Sequence, residues 1–179
     1  MWKGLGIVLL LSGTAGVLYS WIDAQRESQK RLENIIFFLH KSVYAMQTEK
    51  IRVVDLFERY IEHDKWKREK KDIILAQILN EIRQRLLSNT YANGQMVWEE
   101  VFKEKEEKLH FDNEVFPIIV QAGNGFFGRT REENIRFLEK SINELEVQQK
   151  KLKVKSEQER KVWIPVGMLG SVMLVLLFI

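Results

Sequence analysis

Two runs without a single charged residue bracket this chain, and they constrain its fold more than any other feature. Gly4 to Ile22 covers 19 positions and Val162 to Ile179 covers 18. About 20 apolar residues at 1.5 Å per residue cross the hydrocarbon core of a bilayer as a helix. Trp2, Tyr19 and Trp21 flank the first run, where amphipathic rings favour the membrane interface. The expectation is a transmembrane helix over residues 1–22, a second over 162–179, and a domain over 23–161 between them. A cleaved signal peptide is the rival for the first run, because Gly13-Thr14-Ala15 is small enough for a cleavage site. Against it, the apolar run continues through Val17, Leu18, Trp21 and Ile22. A buried core helix is the rival for the second run. Pro165 is easily tolerated if a new helix starts there, and predicts a kink if the preceding helix runs straight in.

The charge distribution orients these segments. All 25 acidic residues lie within 23–159, and of 28 basic residues only Lys3 falls outside 23–161, so the middle is close to neutral. Its charges alternate in sign along helical faces, which argues against nucleic-acid binding despite a pI near 9.0. Arg26, Lys30 and Arg31 follow the first run. Lys150, Lys151, Lys153, Lys155, Arg160 and Lys161 precede the second, with no basic residue beyond it. The positive-inside rule then places 23–161 in the cytoplasm and both termini outside. The two spans would run antiparallel. Ser12, Gly16 and Ser20 are spaced four apart, as are Gly167 and Ser171, so both spans carry small residues that let helices approach closely in lipid. Glycine is also simply common in membrane helices, and the spacing alone does not separate the two explanations.

The middle reads as helices. Leu32, Ile35, Ile36, Leu39, Val43 and Met46 form one apolar stripe, flanked by Phe38, and predict a helix over Asp23–Gln47. Further helices are expected over Val53–His63, Lys67–Ser88, Gln95–Glu107 and Asp112–Ala122, the last with Asp112 as N-cap and Pro117 as a complication. Val97 and Val101, joined by Trp98 and Phe102, should face inward in the fourth. Gly123, Gly125 and Gly128 break the pattern and permit positive φ angles. Thr130 followed by Glu133 is a capping box that opens a long helix, Arg131–Lys161. With no strand pattern and only two prolines, the fold class is all-α: a membrane protein with a bundle of about six helices between two terminal transmembrane helices.

Residue types that carry chemistry do not converge. His40, His63 and His110 are far apart, and there is no cysteine. Gly123-x-Gly125-x-x-Gly128 matches a nucleotide fingerprint but has neither the preceding strand nor the βαβ unit it requires. Glu99, Glu100 and the Glu104–Glu107 run read as solvated faces with lysine partners at i+4. The expectation is no catalytic residue, cofactor, metal or small-molecule substrate. Phe126 and Phe127 fit either of two roles, core packing or an exposed anchor for a partner. With Arg129 they are the candidate partner-binding residues.

Several segments in order resemble stage III sporulation protein AB of endospore-forming bacteria. These are Gly4-Leu5-Gly6-Ile7-Val8-Leu9-Leu10-Leu11-Ser12-Gly13-Thr14, then Phe127-Gly128-Arg129-Thr130-Arg131-Glu132-Glu133-Asn134, then Lys161-Val162-Trp163 with Gly167-Met168-Leu169-Gly170. The resemblance covers nearly the whole chain. It implies a place in the mother-cell membrane facing the forespore, as a non-enzymatic scaffold in the channel-like complex joining the two cells. It also implies a soluble domain similar to the cytoplasmic domains of the type II secretion platform protein. In that scheme a cytoplasmic ATPase, stage III sporulation protein AA, docks on the domain, and other channel-complex subunits are further partners. A membrane-tethered helical adaptor of another envelope complex is the alternative. The orientation is open to test with a reporter enzyme, active only outside the cytoplasm, fused after Ile179. The fusion should be active, and a silent fusion would contradict the assignment.

Overall fold

The computed structural model describes residues 2–63, 67–68, 73–88 and 93–178; within its helices the side chains of 2–12, 14–15, 17–18, 168, 171–172 and 174–178 lie outside the description. Among the described residues every regular element is helical. In chain order these are α1 (Trp2–Thr48), α2 (Val53–Glu62), α3 (Ile73–Leu87), α4 (Gly94–Glu104), α5 (Glu106–Leu109), α6 (Phe116–Ala122), α7 (Asn124–Phe127) and α8 (Arg131–Phe178). The all-α class and the helical core are as expected. The boundaries differ at both ends; in the middle, the expected helix Gln95–Glu107 is divided into α4 and α5, and α6 begins only at Phe116, after Val115, so Asp112 does not cap it. No break occurs near Asp23, and Pro165 lies inside α8 rather than opening a separate helix. No helix among the described residues is long and apolar enough to cross a membrane. Much of both uncharged runs coincides with the side chains outside the description.

The chain forms two compact units, one of Lys30–Lys150 and one of Met1–Gln29 with Lys151–Ile179. In the larger unit, α1 buries Leu32, Ile35, Ile36, Phe38, Leu39, Val43 and Met46, the stripe read from the sequence. Burial of such a stripe is what stabilises a helix in a protein; propensity alone does not. From the other long helix, Leu138, Ile142 and Leu145 of α8 are buried. Across the two, His40 Nε2 lies 3.0 Å from Glu146 and Gln47 Nε2 donates to Glu139 at 3.3 Å, so α1 and α8 run antiparallel here. Helix α2 packs on α3, α3 on α4, and α4 carries α6 and α7. Val97, Trp98, Val101 and Phe102 of α4 are all buried.

Aromatic rings fill the centre. Phe126 of α7 is 2% exposed and lies 5.8 Å from Phe38, 5.4 Å from Phe57 and 5.1 Å from Trp98 by ring centroid. Phe38 meets Tyr60 edge-on at 5.0 Å, and Trp98 meets Phe102 at 4.6 Å. One residue of a four-residue helix thus joins rings from α1, α2 and α4. The Trp98 indole also donates to the Ile119 carbonyl at 3.0 Å, and Gln95 Nε2 donates to that of Val120 at 3.3 Å. Helix α4 thereby engages carbonyls near the C-terminal end of α6, where that of Val120 also accepts from the Gly123 amide at 3.3 Å.

The glycines act through space, not dihedral angle. No described glycine has a positive φ, against expectation. A Cβ on Gly125 would stand 2.5 Å from Leu138 Cγ, and one on Gly94 would stand 2.3 Å from the Phe127 ring. The missing side chains let α7 press on α8, and Phe127 on α4. The left-handed position falls instead on His110, with φ 51°, at the end of α5. Arg31 of α1 closes that end by donating to the Lys108 and Leu109 carbonyls at 2.8 and 3.1 Å.

The smaller unit pairs the two ends of the chain. Gln25 Nε2 donates to Glu159 Oε2 at 2.8 Å, and Ser156 is buried. Its apolar residues point outward: Tyr19, Trp163, Leu169 and Met173 are 70, 54, 68 and 71% exposed. If Phe126 organises the core, Phe126→Ala should destabilise the purified chain by about 3–5 kcal/mol. Chemical denaturation measures this, and a loss below about 1 kcal/mol would show that the rings pack without it.

Candidate functional site

The three candidate partner residues part company in the structure. Phe126 is core, so the anchor role considered for it does not hold. Phe127 is half-buried against Gly94. Arg129 is exposed and lies on the rim of a hollow of about 330 Å³. That hollow is formed where α1 gives way to α2 and where α8 begins. Lys50, Arg129 and Arg131 line it, with Asn134, Thr130 and Met46.

Local sequence explains this surface. Thr130 caps α8: its Oγ1 accepts from the Glu133 amide at 3.2 Å, the first half of the expected capping box. Val53, the first residue of α2, also lines the hollow, and Arg52 before it makes no side-chain cap. Two helices therefore begin at this surface, each bringing the positive end of its dipole. Glu49 is held by Arg59 at 2.7 Å. Lys50, Arg129 and Arg131 have no carboxylate within salt-bridge distance among the described residues. Sequence reading singled out Arg129 alone. Lys50 and Arg131 were missed because only the fold brings residue 50 beside residue 129.

Between α3, α4 and the start of α5, several charges pair with one another. Arg85 of α3 reaches Glu104 of α4 at 2.7 Å and also pairs with Glu81. Lys105 pairs with Glu81 at 3.1 Å. Lys103 pairs with Glu99 at i+4, as expected, but Glu104 is drawn across to α3 instead. Of these groups, Arg85, Glu81 and Lys105 line a second hollow of about 510 Å³ between α3 and the start of α5. Hydrogen bonding and charge from Arg85 hold the Glu104 carboxyl below its usual range, and Glu104 in turn raises Arg85. Arg52 does the same to Asp55. Among the described residues no group of His, Asp or Glu could hold a metal ion.

The small-residue positions lie in the smaller unit. Among the described residues, a Cβ built on Gly16 meets nothing within 4 Å. Ser20 is exposed and Gly167 half-buried, while the side chains of Ser12 and Ser171 lie outside the description.

Fold and surface together define an all-helical protein, with a compact core unit whose ion pairs are internal and one end that presents unpaired cations. Residues 3–179 match the family of stage III sporulation protein AB, and the chain belongs to that family. Membership implies a role in stage III of sporulation. No curated protein and no solved structure matches the chain.

The Glu104 bridge has a pH signature. A carboxyl whose folded pKa is depressed contributes stability above its unfolded pKa, and loses it as the pH falls through the folded value. Wild-type protein should therefore exceed Glu104→Gln in stability at neutral pH, with the gap closing below about pH 4.5. The effect is small because the side chain is half exposed. Thermal melts of both proteins from pH 7 to 3 check this, and a gap independent of pH would contradict it.

Proposed function

We propose that this protein is a non-enzymatic membrane platform subunit of the mother cell–forespore channel complex, on which a cytoplasmic ATPase, stage III sporulation protein AA, docks. The family match across residues 3–179 carries the reading. Four further features support it. The two uncharged runs have the length of membrane spans. The smaller unit turns Leu169 and Met173 outward, as lipid-facing residues are. The basic residues flank the runs on the side of the middle domain. The core unit is built from ring packing and internal ion pairs, a rigid support for other subunits. In this reading residues 23–161 lie in the cytoplasm, where an ATPase can reach them, and the termini lie outside the mother-cell membrane.

Deleting the gene in its host tests the proposal. Normal vegetative growth with spores arrested after engulfment is the expected result, together with loss of the ATPase from membranes. A growth defect with normal spores would overturn it and favour a general envelope adaptor.

A further inference from the structure

At the basic hollow where α1 gives way to α2 and α8 begins, three cations from two separate elements gather around one concave surface. Lys50 comes from the α1–α2 link, while Arg129 and Arg131 come from the start of α8. Their side chains meet no carboxylate among the described residues, though the chain makes many ion pairs elsewhere. Glu49 also lines the hollow, and its carboxylate is already held by Arg59. Glu132 and Glu133, in the first turn of α8, are exposed and do not line the hollow. The opening turns of α2 and α8 add the positive ends of two dipoles. The cations favour an anion, and an acidic stretch of polypeptide offers carboxylates in series that can meet Lys50 from one element and Arg129 and Arg131 from another.

We infer that this hollow is the docking site for an acidic, extended segment of a partner protein. The inference rests on the platform reading above and deepens it by naming the face and the chemistry of its partner. Affinity there should be modest and weaken with salt, since the cations sit at an exposed rim.

The test uses the full-length chain in a neutral detergent and a fluorescein-labelled dodecapeptide of alternating Glu and Ser, followed by anisotropy. The wild-type chain should bind the peptide. The double variant Arg129→Glu/Arg131→Glu should lose about tenfold in affinity, and Lys50→Glu, from a separate element, should lose affinity as well. Lys140→Glu, remote from the hollow on α8, should bind as wild type does. Unchanged circular dichroism and melting keep the readings interpretable, and Glu is well suited to the first turn of α8. Equal binding by all variants, or equal loss in Lys140→Glu, would overturn the inference. Groove-dependent binding to phosphatidylglycerol vesicles without binding to the peptide would overturn it too. Recovery of the ATPase by the same proteins is a separate readout. Equal recovery by wild-type and charge-reversed chains overturns the hollow as its docking site and leaves the platform standing. No recovery by the wild-type chain, with peptide binding that depends on the hollow, overturns the platform and leaves the hollow standing.

Discussion

The ring of Phe126 is the contact on which the core unit depends. It belongs to a helix too short to be stable alone, yet it touches Phe38, Phe57 and Trp98, which come from three other helices. Aromatic pairs at 5–6 Å add to the burial of their large surfaces, so one side chain collects several such contributions. Its neighbour Gly125 makes the arrangement possible by leaving room for Leu138 of α8. Insertion of α7 therefore fixes where α8 starts, and the start of α8 fixes where Arg129 and Arg131 stand.

Much of this was legible in the sequence, for a physical reason. Apolar residues at three- and four-residue spacing identify helix faces, and those set out for α1 and α4 are buried as their spacing indicated. On α2 the buried face includes Leu56 and Tyr60, while Val54 and Ile61 are only half-buried. Thr130 was readable as a cap because capping is a local hydrogen bond. Boundaries were less legible at the ends. A change from charged to uncharged residues alters the surroundings a helix suits, but does not interrupt its backbone, so α1 and α8 run on across the change. Pro165 removes one N–H, which a long helix can absorb without ending.

The candidate surface was legible only in part. Nothing local couples Lys50 to Arg129, and i+4 arithmetic does not reveal that Arg85 draws Glu104 away from its own helix. The glycines carried a signal, but of close packing, which becomes visible only once the contacting Leu138 and Phe127 are in place. His110 takes the left-handed conformation without any glycine to announce it.

Three features meet in this chain: uncharged ends suited to lipid, an aromatic core that joins α1, α2, α4 and α7, and a cationic hollow where α1 gives way to α2 and α8 begins. In the function proposed above, the core unit faces the cytoplasm while both ends of the chain lie across the membrane. The chain has no cysteine, so single cysteines can report directly on this topology. Lys3→Cys and Lys140→Cys, each expressed in intact sporulating cells stripped of their outer layers, would be treated with a maleimide that cannot cross membranes. Labelling at position 3, with position 140 protected until the cells are lysed, is the predicted result. Labelling of position 140 in intact cells would contradict the account.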